Sequence, residues 1–107
     1  GQLRLMDGPN AWSGRLEICR NNVWGTICDM GWGWDDARVA CRQLGFPAGG
    51  EAVEGGWFPN ATESSPIHYS NVTCLGYETA LASCLLPNRS TSCNHKYDAG
   101  VICANPA

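Results

Sequence analysis

Short alternating runs of apolar and polar residues predict a small antiparallel sheet. Successive side chains of a strand point to opposite faces, so a period of two marks a sheet with one face in the core. Turn-forming pairs such as Asp7-Gly8 and Asn21-Asn22 separate the runs. The predicted strands hold Leu3 and Leu5, then Leu16 and Ile18 with Val23 at the end of that run, then WGTIC at 24–28, and finally GVIC at 100–103, which closes the sheet.

Between residues 35 and 44 the period changes to that of an amphipathic helix of about ten residues. Apolar residues recur at i, i+3, i+4 and i+7 from Ala37, acids occupy the first turn, and Gly45 follows as a C-terminal cap. Asp35 is assigned as the N-terminal cap of this helix. A second, short helix is predicted for residues 78–84, whose apolar side chains share one face.

Residues 47–66 have no sustained period and contain four glycines and three prolines, which predicts a long loop across the surface. A short strand is expected inside this loop at 51–53. We find no internal repeat or linker, so residues 1–107 are interpreted as one domain with its core at 2–103. The terminal ANPA, residues 104–107, is interpreted as the start of a linker.

The chain has 107 residues and seven cysteines, none of them in a Cys-x-x-Cys pair. That spacing disfavours a zinc ribbon or a thioredoxin-like site. Because a domain of this size has a small core, a disulfide framework formed in an oxidising compartment is the better interpretation. The spacing alone leaves the pairing open.

Three Asn-x-Ser/Thr triplets, at Asn60, Asn71 and Asn88, predict glycosylation and an extracellular location, secreted or on the cell surface. No run approaches the roughly 18 apolar residues of a membrane helix, and the N-terminus lacks the features of a signal peptide. The sequence is therefore expected to be a mature soluble segment that does not insert into a membrane.

The net charge is −3, and the seven basic residues are scattered along the chain. Nucleic-acid and heparin sites require a concentrated basic patch. No nucleic-acid partner is therefore expected.

Specific motifs then identify a family. WGTICDMGWGWDDARVACRQLGF at 24–46 combines Trp-Gly-Thr, two cysteines, an Asp-Ala helix start and Arg-Gln-Leu-Gly. This segment resembles the scavenger receptor cysteine-rich domain. LRLMDGPNAWSGRLEI at 3–18, PIHYSNVTCLGYETALASC at 66–84 and CNHKYDAGVIC at 93–103 are similar to further blocks of that family, so the resemblance covers residues 2–103. It implies an α+β fold, in which a curved antiparallel sheet cradles one main helix, with a short second helix and long loops.

The resemblance also implies a disulfide pattern. Trp12 and Phe46 stand where eight-cysteine members of the family have two additional cysteines, so this chain resembles the six-cysteine group. The implied pairs are Cys28 with Cys93, Cys41 with Cys103, and Cys74 with Cys84.

Cys19 is left without a partner in this pattern. Strand alternation places it on the face opposite Leu16 and Ile18, so it is expected to be at least partly exposed. Two interpretations stay open: an interchain or interdomain disulfide, which would allow a dimer, and a free or capped thiol.

Members of the family are non-catalytic modules that bind polyanions, microbial surfaces, lipoproteins or proteins, often with a divalent cation. The cation-binding positions implied by the resemblance are Asp29, Met30 and Tyr97, and a neighbouring acidic stretch keeps only Glu78. Hard cations such as calcium need several charged oxygen ligands. No cofactor is therefore expected, with calcium or magnesium binding at the remnant Asp29 and Glu78 lost or very weak.

The five tryptophans provide the candidate binding surface. Trp24 and Trp32 match family core positions, and Trp12 is expected to fill the volume of a missing disulfide. Trp34 and Trp57 match no family tryptophan. Trp34 and the Trp57-Phe58 pair are candidate exposed anchors of a protein interface. The alternative is that these aromatic residues fold back over a thin core.

The sequence does not predict an enzyme. His68, His95 and Lys96 are similar to a ribonuclease acid–base set, but the acidic net charge disfavours a phosphate substrate. A zinc site at Cys93 and His95 would break a disulfide, and Asp98 is expected to order the turn beside Cys93.

The resulting interpretation is a non-catalytic extracellular recognition module that binds a protein partner through loops and aromatic residues. One alternative is cation-assisted binding of polyanions or microbial surfaces. Another is a spacer or oligomerisation module, joined through Cys19, in a mosaic extracellular enzyme.

Overall fold

The structure, a computed structural model, describes residues 1–89 and 92–104. No helix within these ranges is long and apolar enough to span a bilayer. The predicted linker at 104–107 lies almost wholly outside the described residues. The strands are β1 (Leu3–Met6), β2 (Ser13–Arg20), β3 (Val23–Ile27), β4 (Gly50–Val53), β5 (Ile67–Tyr69) and β6 (Gly100–Cys103), with helix α1 at Trp34–Gln43 and 3-10 turns at Leu81–Ser83 and His95–Tyr97.

The six strands form one curled sheet in the order β4-β6-β2-β3-β5, with β1 also paired to β2. The eight-residue β2 organises the sheet because it pairs with three strands, β1, β3 and β6, all antiparallel. The predicted antiparallel sheet and its closing strand are confirmed, as is the short strand in the long loop. One pairing differs: β5 lies parallel to β3.

The sheet and α1 enclose the core, which confirms the α+β class. Leu16 and Ile18 are completely or almost completely buried, as strand alternation predicted. Val23 is 48% exposed because it follows the turn at 21–22 and begins β3, so its placement in the second run was wrong. The largest side chains that are less than 2% exposed include Leu16, Ile18, Ile27, Leu81, Val39, Val72 and Val101.

Helix α1 begins one residue earlier than predicted, at Trp34, and its N-cap is Gly33. The capping carboxylate belongs to Asp36, whose Oδ2 accepts the Gly33 N–H at 2.8 Å, and not to Asp35. Asp36 Oδ1 also accepts the Cys74 N–H at 2.7 Å. Burial raises the pKa of Asp36 even though both backbone hydrogen bonds favour its charged form. At the other end Gly45 has φ of +99°, as the predicted glycine cap requires.

The predicted second helix is reduced to the single 3-10 turn Leu81–Ser83. The Glu78 carboxylate accepts the N–H groups of Leu75 and Gly76, each at 2.9 Å, and closes a turn where the helix was expected to start. These N–H donors favour the charged carboxylate and lower the pKa of Glu78.

Three disulfides join distant parts of the chain. Cys28 pairs with Cys93, Cys41 with Cys103 and Cys74 with Cys84, the pairs that the family resemblance implies. The Cys41 bridge joins α1 to β6, while the Cys74 bridge closes only a local loop. One covalent link therefore holds the helix against the sheet.

Candidate recognition surface

A segment of the long loop, residues 54–61, is held against the sheet by three long-range hydrogen bonds; we call it the anchored loop. The bonds run from the Gly55 N–H to Asp29 Oδ2 at 2.8 Å, from Arg15 Nη1 to the Pro59 carbonyl at 2.7 Å, and from the Ala61 N–H to Asp98 Oδ2 at 2.9 Å. Polar side chains from three separate parts of the chain thus fix a segment that has no secondary-structure period of its own.

Gly55 is the point of closest approach. A Cβ built on it would lie 2.5 Å from the Tyr97 Cα and closer still to the Lys96 carbonyl oxygen. No side chain fits at this position without moving the backbone, so the loop can only pack this closely with glycine here. The structural role of Asp29 follows from the same position, because its carboxylate accepts the Gly55 N–H and holds the loop here.

A charged network lies beneath the anchored loop on β2. Arg15 Nη2 lies 3.0 Å from Glu17 Oε2, and both side chains are at most 7% exposed. Asp7 contacts Arg15 at 2.7 Å, and Arg4 contacts Glu17 at 2.7 Å while stacking over the Trp24 ring. Burial opposes the charge on Arg15, but the hydrogen bonds to Asp7 and Glu17 outweigh it and raise the pKa of Arg15. The guanidinium stays charged and keeps its bond to the loop.

Two tryptophans are exposed beside this framework. Trp34, the first residue of α1, is 58% exposed, and Trp57 in the anchored loop is 66% exposed. Neither folds back over the core. Phe58 differs from the expectation: it is half-buried and packs toward Gly100, so it supports the loop from below.

The other three tryptophans have structural positions. Trp12 and Trp32 are partly buried against the core cluster, and Trp32 Nε1 donates to the Gly100 carbonyl at 3.1 Å. The carbonyl of Trp12 accepts the Cys103 N–H at 2.7 Å, which places this residue beside a disulfide. Trp24 is half-buried under Arg4.

Two of the three positions implied for a cation carry exposed, largely apolar side chains instead of carboxylates. Met30 and Tyr97 are 40% and 46% exposed and line a shared hollow of about 350 Å³ with Asp29. The Tyr97 backbone packs on Gly55, two residues from Trp57. We call the exposed aromatic residues Trp34, Trp57 and Tyr97, together with Met30, the aromatic surface. From the sequence, Met30 and Tyr97 were interpreted only as lost ligands, although their apolar character was the signal that they belong to this surface.

A groove separates the start of α1 from the edge strand β4, and we call it the β4 groove. It has a volume of about 450 Å³ and is lined by residues 32–34 and 51–54. The exposed Trp34 lies on one wall, and Glu51 and Glu54 lie on the other. The Trp57 N–H donates to the Glu54 carbonyl at 3.3 Å, which connects the groove to the anchored loop. Neither Glu51 nor Glu54 was predicted from the sequence to belong to a binding surface.

The remnant cation residues each have another structural role. Asp29 binds the Gly55 N–H, and Glu78 binds the N–H groups of its own turn. Within 1–89 and 92–104, the only cluster of three metal-ligating side chains is Cys74, Glu78 and Cys84, which lie within 4.8 Å of one another. Its two sulfurs are joined in a disulfide, so they offer no thiolate to a metal.

His95 and Asp98 hold a turn together, as predicted for Asp98. Nδ1 of His95 lies 2.8 Å from Asp98 Oδ1, and its Nε2 lies 2.7 Å from the Ser65 carbonyl. His68 Nε2 is likewise 2.8 Å from the Val23 carbonyl. The two histidines therefore act as connectors between segments. The Thr26 hydroxyl lies 3.4 Å from His95 Nδ1, which is shared with the closer Asp98 carboxylate.

The three sequon asparagines, Asn60, Asn71 and Asn88, are exposed. Asn88 Oδ1 accepts a hydrogen bond from Arg20 Nη1 at 3.2 Å, and Ser90 of its triplet lies outside the described residues. Their glycosylation stays a prediction.

Cys19 on β2 is a free, partly buried cysteine, and its backbone pairs with Trp24 on β3. Partial exposure is what the strand alternation predicted.

The sequence matches a known family along most of its length. The profile of the scavenger receptor cysteine-rich domain matches residues 6–104. The egg peptide speract receptor of Strongylocentrotus purpuratus is 45% identical over 108 residues, which are 97% of this chain and 20% of that protein. Lysyl oxidase homolog 2A of Danio rerio is 40% identical over 105 residues, 98% of this chain and 14% of that protein. The chain thus spans a fifth or less of these relatives.

Solved structures show the same fold. The third SRCR domain of murine neurotrypsin superposes with a TM-score of 0.84 at 44% identity, covering 95% of this chain and 94% of that one. The SRCR domain of mouse MARCO, in a dimeric form, superposes with a TM-score of 0.71 at 41% identity, covering 94% and 93% of the two chains.

Proposed function

Because the chain belongs to the scavenger receptor cysteine-rich domain family, we propose that it is a non-catalytic extracellular recognition module that binds a protein partner through the aromatic surface. The family occurs in receptors and in mosaic proteins, such as the speract receptor, the lysyl oxidase homologs and neurotrypsin. Three disulfides support an oxidising, extracellular location.

The single observation that carries the proposal is the exposure of Trp34 and Trp57 on rigid supports. One opens a helix whose N-cap is hydrogen-bonded, and the other lies on a loop with three long-range hydrogen bonds. Large aromatic side chains on ordered backbone lose little conformational entropy on binding and dominate protein interfaces. Exposed apolar groups that cluster mark interaction sites more often than isolated ones do.

The same surface supports a protein partner over a polyanion. Met30 and Tyr97 replace charged groups beside Asp29, whose carboxylate is bound to Gly55. The net charge of −3 opposes a polyanionic ligand. We therefore expect recognition that does not depend on calcium or magnesium.

The proposal is tested by replacing the two exposed tryptophans. A fluorescent, multimerised domain is incubated with cells that have been treated with trypsin, heparinase or EDTA. We expect trypsin alone to remove binding, and Trp34→Ala with Trp57→Ala to lower it at least about tenfold, since each interface aromatic contributes on the order of 1–2 kcal/mol. Leu75→Ala, at a residue 67% exposed, is the control and should bind normally.

Binding that heparinase or EDTA removes, and that survives the tryptophan changes, would contradict the proposal. It would support instead the cation-assisted polyanion or microbial-surface alternative.

The second candidate is a spacer or oligomerisation module joined through Cys19, and the free, partly buried thiol favours it. We expect a dimer on a non-reducing gel that disappears with dithiothreitol and in Cys19→Ser. A monomer whose Cys19 reacts with maleimide without denaturant would contradict this candidate and leave the recognition function unaffected.

A further inference from the structure

The β4 groove lies along an open edge of the sheet. Strand β4 stands at one end of the strand order and pairs only with β6 among the described strands. No backbone hydrogen bond outside this pairing involves residues 51–53 in the described part of the chain. In an antiparallel pair, alternate N–H and C=O groups point away from the partner strand, so β4 presents unpaired groups along its outer side. An extended segment of another protein pairs with such an edge.

The groove has a definite charge. The side chains of Glu51 and Glu54 are exposed, and neither makes a hydrogen bond or ion pair within residues 1–89 and 92–104. No basic residue lines the groove. The positive end of α1 lies nearby, but Asp35 and Asp36 in its first turn offset it. The groove is therefore complementary to cations.

Tryptophan side chains in the groove add to its preference for cationic side chains. Trp34 is 58% exposed beside the two carboxylates, and Trp32 lines the same groove. A lysine or arginine side chain binds favourably over an indole face and gains more when a carboxylate lies within reach. The apolar stem of such a side chain packs on tryptophan while its charged end reaches the acids.

We propose that an extended, basic segment of the partner protein lies along β4, adds a strand to the sheet edge, and places lysine or arginine side chains against Glu51, Glu54 and Trp34. This inference rests on the proposed function and specifies the chemistry of the partner. Strand β4 has four residues, and at about 3.3 Å per residue a segment of similar length covers it.

Synthetic peptides test the charge. The probe is acetyl-Ser-Lys-Val-Lys-Val-Lys-Ser-amide, with a matched peptide in which glutamate replaces each lysine, titrated by calorimetry and tryptophan fluorescence. We expect the lysine peptide to bind at about 1 mM or tighter, the glutamate peptide to bind at least about tenfold more weakly, and added salt to weaken binding. Glu51→Gln with Glu54→Gln should lower affinity about tenfold. Glu63→Gln, an exposed acid outside the groove, is the matched control and should have no effect.

Main-chain pairing is tested separately with two N-methylated lysine peptides, one methylated at odd and one at even positions. Only one set of N–H groups faces β4 in a strand pair, so one of the two peptides should lose binding. Equal binding of the lysine and glutamate peptides, no effect of the double glutamine variant, or full binding of both methylated peptides would overturn the inference. If the tryptophan variants weaken cell binding but the glutamine variant does not, only this inference fails and the proposed function stands.

Discussion

Replacing Cys41 and Cys103 together by alanine is expected to lower the free energy of unfolding by about 4 kcal/mol, whereas the same change at Cys74 and Cys84 should cost about 2.7 kcal/mol. The two bridges span 62 and 10 residues, and a longer closed loop restricts the unfolded chain more. The substituted atoms are the same in both variants, and the fuller burial of Cys41 and Cys103 adds to the larger cost expected for the long loop.

Urea unfolding followed by circular dichroism measures both variants against the parent domain. Since domains of this size are stable by roughly 5–15 kcal/mol, the long-range variant should lose a large fraction of its stability. The loss should also affect the binding surface, because the Cys41 bridge joins α1, which carries Trp34, to β6, which pairs with β4. Equal costs for the two variants would show that loop length does not determine the contribution of these bridges.

Hydrophobic periodicity predicted the strands and the helix that each bury one face in the core. Leu16 and Ile18 alternate with polar neighbours because one face of β2 packs in the core, and the residues from Ala37 repeat with a helical period because α1 lies on the sheet. The family resemblance supplied the cysteine pairs, which spacing alone leaves open. The strand and helix patterns are carried by neighbouring residues, whereas two of the three disulfides join cysteines more than 60 residues apart.

The structural features that were not predicted depend on contacts that hydrophobic periodicity does not reveal. Strand β5 has three residues and pairs in parallel with β3 across a long connection, so no period reveals it. The second helix was overpredicted because the Glu78 carboxylate closes a turn, an interaction that apolar spacing does not register. The capping carboxylate was assigned to Asp35, but the neighbouring Asp36 accepts the Gly33 N–H, and sequence alone does not distinguish two adjacent acids.

The exposure of two candidate binding residues could be predicted from the sequence, but the contacts that hold the loop beneath them could not. Trp34 and Trp57 stood out because they match no core position of the family, and both are exposed. The anchored loop that carries Trp57 is fixed by side chains from β2, from the end of β3 and from the turn before β6. No local motif marks these three hydrogen bonds, and the family resemblance indicated only a remnant cation ligand at Asp29.

Arg15→Met is expected to be the other large effect, lowering the free energy of unfolding by about 3 kcal/mol, because the buried Glu17 would lose its buried partner and keep only Arg4, whose side chain is 39% exposed. Asp7 loses the same partner but is half-exposed, so water compensates for it. Arg38→Met is the control: Arg38 is exposed on α1 and makes no ion pair within the described residues, so its loss should be small. Urea unfolding measures both variants.

The same substitution should release the anchored loop, because Arg15 donates to the Pro59 carbonyl. Limited digestion with chymotrypsin tests this directly, and we expect faster cleavage after Trp57 in Arg15→Met than in Arg38→Met. The double change Arg15→Met with Glu17→Leu separates the two effects. It removes both buried charges, so stability should recover in part while the loop stays susceptible to cleavage. If the double variant is no more stable than Arg15→Met, the loss of the buried Arg15 partner of Glu17 is not the cause of the lower stability. If its loop resists cleavage as the parent does, the Arg15–Pro59 bond does not hold Trp57 in place.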